Sequence, residues 1–297
     1  MMSRLGHRLQ CWAALACALC ATAGAEPAPG AAPRADHIVL VIEENKPYAG
    51  IIGSADAPYI NRLAARGALF TNSFGVAHPS QPNYLALFSG STHGVPDDRC
   101  PLELSGPNLA AALADRGADF AIFSESLPAP GERVCFADGH RYARKHNPIA
   151  EWPELGGSAR VNRTFAQFPV DYAQLPAVAF VVPDQEDDMH DGATPTAQVA
   201  AGDRWLSRNI DGYARWAAGH NSLLIVTWDE DDGSANNHVA TLIVGAGVKA
   251  GLYPTRIDHY DVLRTIEDLR GLAPLGHAAE ARGVGPIWLP AVPATAR

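Results

Sequence analysis

The 297-residue chain carries 32 acidic against 23 basic residues, a net charge of −9, with 47% hydrophobic and 19% charged positions. That length can bury a full core, the composition excludes wholesale disorder, and the acidic balance excludes a general nucleic-acid binder. In chain order, Arg4, His7 and Arg8 precede a short apolar core from Cys11 to Cys20, and Ala23-Gly24-Ala25 follows as a small-residue cleavage site. This predicts a signal peptide over residues 1–25, too short to span a bilayer, and an exported, periplasmic or secreted, mature protein. Cleavage removes three of the five cysteines. The remaining Cys100 and Cys135 are expected to form one disulfide in an oxidising compartment.

Residues 26–35 are rich in Pro, Ala and Gly and read as a flexible lead-in, with a single domain expected over 36–297. Residues 37–42 form an apolar run of the kind buried on both faces of a parallel sheet, and it ends in Glu43-Glu44-Asn45. A helix follows in which Asp56 can cap and Pro58 suits the first turn, stopped by Gly67; a second strand is expected from Ala68 to Val76. Ser105 and Pro107 are expected to open the next helix, ahead of a strand at 119–124. Residues 125–175 lack periodicity, carry Arg141, Arg144, Lys145 and His146, and read as a cap or rim. Residues 177–182 form another buried-type strand, which runs into an acidic stretch from Asp184 to Asp191. A long helix with Val199, Leu206, Ile210 and Tyr213 on one face leads to a strand at 222–228 that ends in Asp229-Glu230-Asp231-Asp232. His238 opens one more strand, and a last amphipathic helix runs from about Asp258 to Leu269. This alternation predicts an α/β fold with helices on both faces of a mostly parallel sheet.

Residues 77–94 place Ser80 in a Pro-broken loop just ahead of an apolar helix. A helix start favours negative charge, so Ser80 can be a nucleophile whose anionic product is held where it forms. On this stretch alone the same serine reads first as a helix N-cap, as most serines before helices are. Three buried-type strands end in acid clusters, and carboxylates that converge at one sheet edge need a cation. His190 and His238 lie beside such strand ends and are candidate nitrogen ligands, or else satisfied structural histidines. The spacing of Asp229 to Gly233 does not fit an EF-hand, and no Gly-x-Ser-x-Gly elbow surrounds Ser80. A metal-activated serine therefore fits the pattern better than a catalytic triad.

Ile42-Glu-Glu-Asn, His78-Pro-Ser-Gln-Pro-Asn-Tyr-Leu-Ala-Leu-Phe-Ser-Gly, Asp188-Met-His190, Thr227-Trp-Asp-Glu-Asp-Asp-Gly and His259-Tyr-Asp-Val-Leu-Arg-Thr-Ile-Glu-Asp-Leu occur in that order. Together they resemble the bacterial phosphoesterase family of acid phosphatases and phospholipases C, in the alkaline phosphatase superfamily. The resemblance runs from about Asp36 to Leu275. It implies a three-layer α/β/α sandwich and a phosphoesterase acting through a phosphorylated Ser80, most simply an acid phosphatase cleaving monoesters. A phospholipase C-type diesterase, or a binding protein on the same scaffold, is the alternative. It further implies that Asn83 sets its amide on a phosphate oxygen and that Glu44, Asn45, Ser80, Asp229 and Glu230 hold a metal. Asp188, His190 and His238 would serve a second metal or the leaving group. Glu43, His78, Asp184 and His259, in or beside the matched segments, are secondary candidates. Glu230 stands where the wider superfamily has histidine, which favours Mg²⁺, Ca²⁺ or Mn²⁺ at the all-oxygen site, with zinc at a histidine site. Tyr84 after Ser80-Gln-Pro-Asn leaves no arginine of the sulfatase pattern. The chain ends soon after the last helix, unlike phospholipase C members with added domains. The expected substrate is a small phosphorylated molecule, such as a phospholipid or phosphoinositide head group.

Overall fold

The computed structural model describes residues 34–289. The expected signal peptide and most of the lead-in lie outside those residues. The strands are β1 (Ile38–Glu43), β2 (Ala68–Phe74), β3 (Phe120–Ser124), β4 (Phe136–Ala137), β5 (Tyr142–Ala143), β6 (Asn162–Thr164), β7 (Val178–Val182), β8 (Leu223–Trp228), β9 (His238–Gly245), β10 (Gly251–Tyr253) and β11 (Ile257–Asp258). The helices are α1 (Tyr48–Ile51), α2 (Pro58–Ala65), α3 (Ser80–Ser89), α4 (Leu109–Ala114), α5 (Pro153–Gly156), α6 (Pro195–Asn209), α7 (Asp211–Ala217) and α8 (His259–Arg270). No described helix is long and apolar enough to cross a membrane.

Nine strands form one sheet in the order β10-β2-β9-β8-β1-β7-β3-β6, with β11 beside β2, while β4 and β5 make a separate hairpin. Every pairing in the large sheet is parallel except those of β9, which runs against both β8 and β2. The continuous apolar runs of β1, β7 and β8 follow from this position, because each is fully buried on both faces. Alternation along β1 sends Ile38, Leu40 and Ile42 into one core and Val39 and Val41 into the other. Tyr84, Phe88, Leu263 and Ile266 of α3 and α8 close the first core. Ile60, Leu63, Val199, Leu206 and Tyr213 of α2, α6 and α7 close the second, giving three layers.

Several local expectations change. Asn108, not Ser105, caps α4, its side chain accepting from Ala111 N–H at 3.0 Å. The long helix breaks at Ile210 into α6 and α7, although Val199, Leu206, Ile210 and Tyr213 all remain buried. Ala35, the last residue of the expected lead-in, is packed in the first core. Cys100 and Cys135 are joined, their Cα atoms 5.7 Å apart.

Asp56 does not cap α2. The N-cap is Ala57, which has no side-chain acceptor, and Asp203 of α6 replaces it from the next layer. Its carboxylate accepts from Tyr59 N–H at 3.2 Å and Ile60 N–H at 2.8 Å, all buried. Asp203→Ala leaves these donors without an acceptor and should cost about 1–3 kcal/mol in urea unfolding. A loss below about 0.5 kcal/mol would show that the helix start does not depend on Asp203.

Candidate functional site

β8, β1 and β7 are adjacent and parallel, so their carboxyl ends lie side by side. Crevices outside such ends are where open α/β sheets bind ligands. Glu44 follows β1, Asp188 follows β7, and Asp229 and Glu230 follow β8; all four are buried. The β2–α3 loop brings Ser80 among them. Its Oγ lies 3.0 Å from Glu44 Oε2 and 3.1 Å from Glu230 Oε1. One hydroxyl proton can serve only one of these oxygens. Glu44 Oε1 also accepts from Tyr84 O–H at 2.7 Å. Asp229 Oδ1 accepts from Asn45 N–H at 3.1 Å, which places Asn45 in the cluster through its backbone.

Ser80 is not the N-cap of α3. Pro79 holds that position and Ser80 is the first helical residue, so its hydroxyl is free to face the carboxylates. The helix start offers an anion less than expected. Gln81 N–H already donates to Asp98 Oδ1 at 2.9 Å, and Pro82 has no N–H. Of the first three helical positions only Ser80 has an amide to give.

Burial, then the charge of Glu44, pushes the carboxyls of Asp188 and Asp229 well above the usual carboxylate range. The same two causes raise Glu230 to about 8. Asp188 Oδ2 and Asp229 Oδ2 are buried without a hydrogen-bond partner among the described residues. Two lysines oppose this charge. Lys46 Nζ donates to the carbonyls of Met189 at 2.8 Å and Asn45 at 3.1 Å, and burial lowers its pKa. Lys145 Nζ donates to Asp98 Oδ2 at 2.8 Å, which ties it to the start of α3.

His146, read from the sequence as part of the rim, lies at the centre. It is buried, with Nε2 3.1 Å from Glu44 Oε1 and Nδ1 3.4 Å from Asp188 Oδ2, and it stacks on Tyr84 at 5.0 Å. Burial pushes its pKa well down, so it is a neutral imidazole with a lone pair to offer. Its only sequence signal is a histidine ending the basic run Arg144-Lys145-His146 close after Cys135.

The other predicted residues divide. His78, half exposed, contacts Glu230 Oε2 through Nδ1 at 2.5 Å and Asp231 Oδ1 through Nε2 at 3.2 Å, and so orients Glu230. His190 stands at the mouth, its backbone N–H donating to Asp188 Oδ1 at 2.7 Å and its ring 6.0 Å from that of His146. Asn83 does not turn its amide to the cluster. Its Oδ1 accepts from Val76 and Ala77 N–H at 2.9 and 3.0 Å, and its Nδ2 donates to the carbonyls of Ala77 and Pro79. It holds the loop that carries Ser80. His259 is buried with Nε2 on the carbonyl of Asp229, a backbone contact rather than a place among the carboxylates.

His238 reaches the right sheet edge, because β9 runs antiparallel, but it is one strand too far out. It stacks between Tyr48 and Phe74 at 4.8 and 5.2 Å, with Nε2 on the carbonyl of Thr71. Glu43 takes the opposite face of β1 from Glu44, as alternation requires, and is fully buried against α6. A Cβ on Gly202 would meet Met189 Cγ and Cε at 2.6 Å and Glu43 Oε2 at 3.0 Å, so glycine there makes room for both side chains. Asp184 belongs to a separate acidic group with Glu125 and Asp187, and its Oδ2 is bound by Arg141 at 2.7 Å and Ser126 at 2.7 Å.

The donors fit a divalent cation. Glu44, His146 and Asp188 each offer a ligand atom within 4.8 Å of the others. Ser80 Oγ lies between oxygens of Glu44 and Glu230 beside this group, and the unpartnered buried oxygens of Asp188 and Asp229 are what a bound cation would satisfy.

The model of the Phosphoesterase family matches residues 54–273. The phosphatidylinositol-3-phosphatase of Mycobacterium tuberculosis is 43% identical over 97% of this chain and 96% of its own. The phosphate-repressible acid phosphatase of Penicillium chrysogenum is 28% identical over 73% of this chain, which spans 55% of that relative's length. A solved structure of a protein in the alkaline phosphatase superfamily from Vibrio parahaemolyticus superposes with a TM-score of 0.59 at 16% identity, covering 83% of this chain and 69% of that one.

Metal content of the purified protein separates the donors. His146→Ala should lose at least about half of the bound divalent metal after dialysis, because removing one ligand from a site typically costs affinity by tenfold or more. His238→Ala should lose none. Equal metal in the wild type and His146→Ala would remove His146 from the donor set.

Proposed function

The chain belongs to the Phosphoesterase family and is a hydrolase of phosphoric esters, and from that premise we propose an exported, metal-dependent phosphomonoesterase of acid phosphatase type, working through a phosphorylated Ser80. The observation that carries this reading is the position of the Ser80 hydroxyl, 3.0 Å from Glu44 Oε2 and 3.1 Å from Glu230 Oε1 at the start of a buried helix. In it the hydroxyl oxygen attacks phosphorus as the bond to the departing oxygen breaks, and its proton passes to Glu44 Oε2. Hydrogen bonding by Tyr84 fixes Glu44, and His78 fixes Glu230, so both partners of the hydroxyl are held before substrate arrives. His190, the partly exposed imidazole at the mouth, is placed to protonate the departing oxygen. Lys145, held by Asp98, offers positive charge to a phosphoryl oxygen.

Glu44, Asn45, Ser80, Asp229 and Glu230 would hold one divalent ion, with Mg²⁺, Ca²⁺ or Mn²⁺ suited to that oxygen set. Asp188 and His146, with Glu44 shared, would hold a second, where the imidazole admits zinc. When bound, such an ion lowers the serine hydroxyl pKa and neutralises charge on the phosphoryl group. We also propose that residues 36–297 form one domain that follows a cleaved leader. The favoured substrate is a small phosphorylated molecule such as a lipid head group, supported by the phosphatidylinositol-3-phosphatase relative.

Ser80→Ala should lower kcat on a phosphate monoester by about 10³-fold or more while leaving the thermal unfolding midpoint in place. Retention of more than a few per cent of activity would refute the nucleophile. Comparing a monoester with its bis-ester assigns the class: a kcat/KM in favour of the bis-ester would replace the phosphatase reading with a diesterase.

A further inference from the structure

A cleft of about 390 Å³ opens beside the candidate site, its lining including Lys145 and His190 of that site together with Phe136, His140, Gln185 and Asp191. Phe136 is one of few large apolar side chains exposed among the described residues, at 50%. Its ring stacks on His140, with centroids 4.7 Å apart. The pair is set before any ligand arrives. Asp138, Gly139 and His140 all have positive φ (49°, 63° and 77°), a run that L residues seldom adopt and that must be held in place. Gln185 holds it: its side chain donates to the carbonyl of His140, and its N–H donates to that of Arg141 at 2.9 Å. The Cys100–Cys135 disulfide, in the cleft wall, fixes the residue next to Phe136 to the loop that carries Asp98.

An open aromatic face with amide and carboxylate groups beside it suits a ligand that is apolar on one face and hydroxylated at its edge. We propose that Phe136, backed by His140, is the platform for the leaving group, and that this group is a cyclic polyol, a sugar or inositol ring whose hydroxyls meet Gln185 and Asp191. The inference rests on the phosphomonoesterase reading, which supplies the phosphoryl end of the cleft at His190 and Lys145. An acyclic alcohol has no flat C–H face to stack and gains nothing from the ring.

The test uses the full mature chain with myo-inositol 1-phosphate and glycerol 1-phosphate as soluble cyclic and acyclic esters. Phe136→Ala should raise KM for the inositol ester about tenfold with kcat nearly unchanged, and change either constant for the glycerol ester by less than about twofold. Phe136→Tyr should restore the wild-type KM. The unchanged glycerol ester activity is also the control for folding. Equal losses on both esters, or none on either, would overturn the platform. A phosphatidylinositol phosphate in mixed micelles distinguishes the source of the ring. The same tenfold loss there extends the platform to a lipid head group, whereas a loss on the lipid alone would show Phe136 contacting acyl chain and refute the proposal. Binding separates this inference from the one beneath it. Ser80→Ala should still bind myo-inositol 1-phosphate in calorimetry, about tenfold more tightly than Ser80→Ala/Phe136→Ala, whether or not Ser80 proves to be the nucleophile.

Discussion

Mutual repulsion among buried carboxylates is the constraint on which the rest of this structure depends. Glu44, Asp188, Asp229 and Glu230 come from the ends of three neighbouring strands and share one water-poor space. Charges so placed are tolerable only if protons or cations neutralise them. The protein supplies only part of that neutralisation. Lys46 is occupied by two carbonyls and Lys145 by Asp98. The raised pKa values of Asp188, Asp229 and Glu230 and the lone pair left on neutral His146 express the same unmet demand for positive charge. A phosphoesterase site would answer this demand, because a cation that settled the carboxylates would also settle a phosphoryl group.

Much of the polar sequence around this cluster works at one remove. His259 holds the carbonyl of Asp229, His78 holds Glu230, and Asn83 ties together the loop that presents Ser80. Asn237 joins two of these loops, donating to the carbonyl of Ala77 and accepting from Asp231 N–H. Sites built on strand ends need such support, since small displacements of charged groups in a low dielectric change their energies steeply. It also explains why a motif can match a family while individual residues within it never face the reacting atoms.

What the sequence made legible follows from the range of the interactions. The buried strands announce themselves as apolar runs, and the acids at their ends mark the edge of the candidate site because parallel neighbours must bring those ends together. The pairing of Cys100 with Cys135 follows from there being only two cysteines after the expected cleavage. Features fixed across the fold were silent. Asp203 caps a helix 143 residues away, which no local pattern encodes. His238 sits beside an acid-rich strand end, yet β9 lies one strand beyond β8, which keeps it from Glu44 and Asp188. Glu43 and Glu44 are indistinguishable as letters and are separated only by the two-residue alternation of β1. His146 lies in a stretch without periodicity, after two basic residues that read as solvated rim, and tertiary packing alone brings it to Glu44.

That same stretch, between β3 and β7, has a second consequence. The carboxylates belong to the rigid sheet, whereas His146, Lys145, Phe136 and His140 belong to the irregular cap. The two parts are joined by the disulfide, by Arg141 on Asp184, Lys145 on Asp98 and His146 on Glu44, while Arg144 pairs with Glu151 at 2.9 Å within the cap. Glu151 in turn accepts from the side chain of Gln81, the residue after Ser80. Buried charged pairs of this kind favour one arrangement, because displacement leaves a charge unpaired. The cap therefore cannot shift as a whole without withdrawing His146 from Glu44 and Asp188 and disturbing the start of α3. On the proposed reading, chemistry and leaving-group selection fall to different parts of the chain, and the buried links between them keep the rim in register with Ser80.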